Sequence, residues 1–423
     1  MSRNVPKLRF KGFDDEWKEY RLGDFLDFYS TNSLSRDCLN NEDGEVQNIH
    51  YGDIHMKFPT ILDIQKYDLP FINSDIDISK IKDDSFCRDG DIVIADASEN
   101  YDDIGKSIEV ENISNNKVVA GLHTILCRDN KNMTANGFKG YMLSNEYIRK
   151  QIKVLAVGTK VLGISKTNLS TIKANMPSLQ EQEKIANFLS KVDSIIEKQE
   201  KKVEYWNSYK KGMMQKIFSQ KIRFKDKKGR NYPEWEKVHL NKFVERVVRK
   251  NKDNVSKRPL TISAQYGLVD QEEFFNKLVA SKNLEGYYLL KNGEFAYNKS
   301  YSTGYPFGAI KRLDKYENGA VSTLYICFKV KNNINSDFIV QYFESSKWHK
   351  EIAMIAVEGA RNHGLLNVSV SDFFETIHYI PCLEEQNKIS KFLLNIDNIL
   401  FKENKKLEEL VQWKKGLLQQ MFI

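Results

Sequence analysis

The sequence predicts an α/β protein made of two globular domains in a pseudo-two-fold arrangement, joined by two long antiparallel coiled-coil helices. Three observations carry this expectation: a helix that occurs twice, a matching opening ahead of each copy, and strand-like composition in the intervening blocks. Residues 181–218 (EQEKIANFLSKVDSIIEKQEKKVEYWNSYKKGMMQKIF) and 385–422 (EQNKISKFLLNIDNILFKENKKLEELVQWKKGLLQQMF) align without a gap at an offset of 204. Ile185 meets Ile389, Phe188 meets Phe392, Asp193 meets Asp397, and Lys211-Gly212 meets Lys415-Gly416. An internal repeat of this length dictates architecture. It divides the chain into a block at 1–177, a helix at 178–221, a block at 222–381 and a helix at 382–423.

The openings come first in the chain. Arg9-Phe10-Lys11, Trp17, Leu22 and Phe25 recur as Arg223-Phe224-Lys225, Trp235, Leu240 and Phe243. In the blocks that follow, GDIVIAD, KVVAGLHTILC and GAVSTLYICFKV have the β-branched and aromatic composition of buried strands. KGYMLSNEYIRKQI and IVQYFESSKWHKEI read as amphipathic helices near the end of each block. Polar loops punctuate them: YSTNSLSRD, DASENYDDIGKS, VRKNKDNVSKRP and NKSYSTGYPFG. Several of these loops are expected on one side of each block.

The long helices open after Pro177 and Pro381. Ser178-Leu179-Gln180-Glu181 fits a capping box; Cys382-Leu383-Glu384-Glu385 keeps the Glu without the hydroxyl. The first helix carries an apolar stripe at Ile185, Phe188, Val192, Ile195, Val203, Trp206, Met213 and Ile217. The second carries Ile389, Phe392, Ile396, Ile399, Leu407, Leu410, Leu417 and Met421 in the same phase. Steps of three and four place such residues on one face, as a paired seam requires. Gln199 and Glu403 interrupt both stripes at equivalent positions, and the remaining surface is rich in Lys, Glu and Asn. At 1.5 Å rise each rod is about 57 Å long.

Composition sets outer bounds. The 423 residues include 64 Lys+Arg against 57 Asp+Glu, a formal charge of +7 that permits an anionic partner without establishing one. Cys38, Cys87, Cys127, Cys327 and Cys382 are scattered and form no metal-ligand spacing, so free thiols in a reducing cytoplasm are expected. The opening residues lack a signal-peptide core, and no apolar run is long enough to span a membrane. Gly105-Lys106-Ser107 lacks the first glycine of a phosphate-binding loop, since Asn100 stands there. No Pro-Pro pair occurs, which removes the catalytic tetrapeptide of an adenine methyltransferase. His50, Asp53 and His55 lack a third ligand of clear spacing. No metal and no catalytic residue is assigned.

The loop residues have the chemistry that contacts base edges and phosphates. Candidates are Ser33, Arg36, Ser98, Tyr101, Lys106 and Lys160 in the first block. In the second they are Lys250, Lys257, Arg258, Lys299, Tyr301, Tyr305, Arg361, Asn362 and His363. Both blocks place a cation after a Gly-x pair, at Gly158-Thr159-Lys160 and Gly359-Ala360-Arg361.

This order of parts resembles the specificity subunits of type I restriction–modification systems. The residues that carry the resemblance are LRF…W…LGDF at 8–25 and its counterpart at 223–243. PSLQEQEKI at 177–185, PCLEEQNKI at 381–389 and the matched helix endings complete it. The resemblance implies two target-recognition domains, each reading one half of a bipartite, asymmetric site on double-stranded DNA. It implies helices that fix the spacer and dock two methyltransferase subunits, with restriction and translocase subunits joining them. S-adenosylmethionine, ATP and Mg would bind those partners, and this chain would hold no cofactor. The competing expectation is a coiled-coil scaffold whose globular ends bind protein; its DNA binding would be weak or insensitive to salt.

Overall fold

A computed structural model describes residues 4–263, 266–275, 283–301, 304–356 and 366–423. They form two compact units, Met1–Lys201 with Asn404–Ile423, and Lys202–Glu403. The boundaries differ from those expected of the sequence. The long helices, Leu179–Phe218 and Leu383–Met421, are each divided between the units. The reason is packing: each block closes its apolar core on the start of the helix that follows it and the end of the other helix.

In the first unit a five-stranded sheet runs in the order Asp27–Tyr29, Thr124–Arg128, Ile92–Ala95, Ser107–Glu111 and Ile61–Asp63. All neighbours are antiparallel except the last pair. A four-stranded sheet packs beside it, in the order Val118–Ala120, Gln47–Ile49, Phe71–Ile72 and Leu39–Asn40. The central strand Ile92–Ala95 is buried on both faces, which accounts for its unbroken apolar run. KVVAGLHTILC is two strands broken at Gly121–His123, where His123 takes a left-handed φ of 54°. The expected single helix near the block's end is likewise two, Phe138–Ser144 and Glu146–Leu155. Asn145 separates them, its side chain accepting from the Ile148 amide at 3.1 Å as an N-cap.

The second unit repeats the plan with fewer strands. Its four-stranded antiparallel sheet runs Val244–Arg246, Ile326–Val330, Phe295–Asn298 and Ala309–Arg312. Two hairpin-like pairs stand beside it, Leu260–Ser263 with Gly267–Asp270 and Tyr288–Lys291 with Asn318–Val321. Helices Ser336–Glu344 and His349–Ile355 replace the expected single one.

Within each unit the two helix segments run antiparallel. In the first, the Asn175 amide donates to the Ile423 carbonyl and Lys414 pairs with Asp193, so numbers rise on one side as they fall on the other. In the second, Lys202 pairs with Glu403 at 2.7 Å and Lys210 with Asp397 at 2.5 Å. Asp193 also accepts from the Tyr141 hydroxyl, and Asp397 from the Gln341 amide, so the repeated aspartate ties helix, partner helix and block together.

The stripe expected of the sequence is corrected at two positions. Ile195 is 45% exposed, and its equivalent Ile399 is only half-buried. The buried sequence is instead Ile185, Leu189, Val192, Gln199 and Val203, with Ile196 packed against the core; Ile389, Leu393, Ile396 and Leu400 repeat it. Phe188 and Phe392 flank this line, packed against Phe10 and Phe224. Leu417, Met421 and Ile217 are buried as expected, while Trp206, Met213, Leu407 and Leu410 are half-buried.

The repeated motifs meet each other. Arg9 makes a bidentate pair with Glu181, both bonds at 2.8 Å, and Arg223 contacts both oxygens of the fully buried Glu385. Glu181 therefore serves the opening segment; the Ser178 hydroxyl alone accepts from the helix, at 3.4 Å. The neighbouring Gln182 receives the Ala135 amide and Gln386 the Asn335 amide, pinning each block's helical layer to its long helix.

Candidate nucleic-acid interface

Antiparallel topology gathers the loops. In the first unit, strand 92–95 ends where strands 107–111 and 124–128 begin, and strand 27–29 ends beside the latter. The loops 30–36, 96–106 and 121–123 therefore leave one end of the sheet. The second unit places 247–259, 299–308 and 322–325 at the equivalent end of its own sheet. A short strand, Leu162–Gly163, pairs with Ala97–Ser98 and adds the Gly158–Lys160 turn to the first group. Gly158 is required there: its φ is 140°, and a Cβ would lie 2.0 Å from the Val161 carbonyl.

Some of the expected contact residues face outward. Ser33, Tyr101, Lys160, Lys257 and Tyr301 are exposed on these loops. Arg36 is exposed but held, donating to Asp53 at 2.8 Å with His50 Nδ1 at 3.3 Å. Arg258 lies over the Tyr316 ring and reaches Asp270 at 3.2 Å. Lys250 lies over Tyr288 and donates to the Gly286 carbonyl. Tyr305 is half-buried below Lys311.

Three others are corrected. Ser98 is buried and its hydroxyl accepts from the Asn100 amide, a turn-forming bond. Lys106 donates inward to the His55 carbonyl at 2.7 Å, and burial lowers its pKa. Lys299 donates to the Val368 carbonyl at 3.0 Å and shapes its loop. Arg361, Asn362 and His363 lie outside the described residues.

The structure adds residues that the sequence did not single out. Tyr51 sits among His50, His55 and His123, with ring centroids 4.7, 6.0 and 5.4 Å away. His123 Nδ1 lies 3.5 Å from Asp96, whose amide donates to the His123 carbonyl. Burial raises the Asp96 pKa, and the imidazole partly offsets it. Asp53 is buried, which opposes ionisation, but hydrogen bonds from Arg36 and Lys57 outweigh this and hold its carboxyl below the usual range. Burial and the Arg36 charge lower the His50 pKa. His50 accepts from the Gly52 amide as a helix cap and Asp53 is paired with Arg36 and Lys57, so both are taken up by local structure beneath Tyr51. The sequence signal for His123 was a polar residue interrupting a strand-like run just after Gly121. Left-handed φ at a non-glycine residue concentrates at working sites.

Among the described residues no group of three or more His, Cys, Asp or Glu is placed to hold a metal ion. Nor is any helix there long and apolar enough to cross a membrane. Gly105-Lys106-Ser107 leads into a strand, so no phosphate-binding loop forms.

Comparison with known proteins finds similar chains. Residues 14–205 match the type I restriction modification DNA specificity domain. The chain is 26% identical over 308 residues to the type I restriction enzyme MjaVIII specificity subunit of Methanocaldococcus jannaschii, covering 66% of this chain and 67% of that protein. It is 35% identical over 128 residues to the putative MjaX specificity subunit of the same organism, covering 28% and 30% respectively. The fold is shared with the S subunit of a type I restriction-modification system from M. genitalium, at a TM-score of 0.55, 15% identity and 99% coverage of both chains. A chain from a structure describing complex assembly and conformational transition of the type I R-M system aligns at a TM-score of 0.50 and 12% identity, covering 97% and 98%. This chain is similar to the type I restriction–modification specificity subunits in the sequence of residues 14–205 and in fold.

Proposed function

We propose that each unit reads one half of a bipartite, asymmetric site on double-stranded DNA through the loops at one end of its sheet. The observation that carries this is the pairing of one plan with two chemistries. Equivalent loops present His123, Tyr101 and Lys160 in one unit, with Tyr51 of helix Tyr51–Met56 against His123, and Tyr301, Lys257 and Leu324 in the other. Aromatic, basic and hydroxyl side chains at loop tips supply base-edge contacts, and unlike sets select unlike half-sites. The long helices set the spacer and dock two methyltransferase subunits, to which restriction and translocase subunits are added. S-adenosylmethionine, ATP and Mg belong to those partners, and this chain contributes recognition without catalysis. The complex acts in the cytoplasm.

The test is selection from a random-sequence DNA pool by this chain assembled with its modification subunits. Enrichment of one split motif with unlike halves is expected. An intact complex that enriches no sequence would favour the scaffold reading.

A further inference from the structure

The second unit carries a basic groove that the reading loops do not explain. It has a volume of about 970 Å³ and is bounded by residues 207–221 of the first long helix and its exit, by 344–349, and by Gly304 and Tyr305. Lys211, Lys216, Lys221 and Lys347 line it and are exposed, and none forms an ion pair among the described residues. The one carboxylate on its wall, Glu344, is already paired with Lys311 at 2.5 Å. Four uncompensated cations in one concave surface create a focused positive field. Folding gives no return for that repulsion, so the arrangement fits an anionic ligand.

The position of the groove names the ligand. Its wall includes Tyr305, which belongs to the same loop as Tyr301, so the groove borders a loop of the proposed base-reading surface. Building on the DNA-reading function, we infer that this groove is a track for the phosphate backbone of the duplex flanking the second half-site. Lys211, Lys216 and Lys347 are point-charge phosphate contacts and read no bases.

The equivalent cleft of the first unit, about 390 Å³ and lined by Lys7, Glu146, Lys150 and Gln419, carries a different charge although its helix is a repeat of the same sequence. The position matching Lys216 is Gln420, and Gln419 donates to Glu146 at 3.2 Å. Glu146 also pairs with Lys150 at 3.0 Å, so a paired carboxylate offsets part of the positive charge on that surface. The electrostatic grip on DNA is therefore unequal between the two halves.

The test is K211Q/K216Q/K347Q in the full complex with its modification subunits, titrated against its own DNA site from 50 to 200 mM salt. Each lost phosphate contact flattens the log–log slope by about 0.9, so three remove about 2.7 and shrink the fold-change over that range about 40-fold. The methylated motif is expected to stay the same, and K415Q in the first unit to leave the slope in place. An unchanged slope, a changed motif, or loss of modification-subunit binding would overturn the inference; the last would make the groove a protein interface. A wild-type complex showing no site preference would instead overturn the DNA-reading function beneath it.

Discussion

Truncating Leu189 and Ile195 separates the observed helix packing from the phase that heptad counting suggests. Leu189 is fully buried in the same apolar cluster as Leu417, Met421 and Phe422, whereas Ile195 is 45% exposed. Leu189→Ala removes three buried carbons, about 2.4 kcal/mol of transfer free energy at ~0.8 per methylene. The cavity raises the expected loss to about 3–4 kcal/mol, within the range of buried Leu→Ala changes. In a unit of this size each kcal/mol moves the midpoint by roughly 2–4 °C, giving a shift on the order of 10 °C. Ile195→Ala loses little burial and gains helix propensity, so its effect stays within about 0.5 kcal/mol. Urea and thermal unfolding of the two variants beside the wild-type chain measure the difference. Equal losses, or a larger loss for Ile195→Ala, would refute the packing described.

Three further outcomes are expected. Glu385→Ala leaves the Arg223 guanidinium and the Trp235 indole without their shared buried acceptor, and unfolding free energy should fall by about 3–5 kcal/mol. Burial lowers the His378 pKa to about 3, so the folded state holds this ring neutral while the unfolded chain protonates near pH 6.5. Its contribution is complete above about pH 6.5 and declines by up to ~1.4 kcal/mol per unit as pH falls toward 3; His378→Gln should flatten that decline in urea titrations at pH 7.5 and 5.5. Gly308→Ala places a Cβ 2.1 Å from the Asn298 carbonyl at a φ of 75°, and should distort the 299–308 loop at a cost of about 1–3 kcal/mol. Thermal unfolding measures that cost, and reading of the second half-site should weaken with it.

The repeat made the architecture legible because helix periodicity and paired motifs survive in both copies. What the repeat could not decide was phase. Apolar residues occupy both 188/195 and 189/196, and either set makes heptad steps from Ile185. Packing against the block as well as the partner helix selects Leu189 and Ile196. The meeting of Arg9 with Glu181 was likewise invisible, since it joins residues 172 apart in sequence. Loop composition marked the candidate contact loops, yet composition does not say which way a lysine points. Lys106 and Lys299 satisfy backbone carbonyls, while Tyr51 and His123 assemble only through tertiary contact.

The central claim is that the two units read different halves of one site. Methylation mapping of DNA from cells expressing this chain with its modification subunits tests it, repeated with residues 222–381 exchanged for those of another specificity subunit. The account predicts adenine methylation at one split, asymmetric motif, with the exchange altering one half and leaving the other intact. Change in both halves, or in neither, with the complex assembled would contradict it.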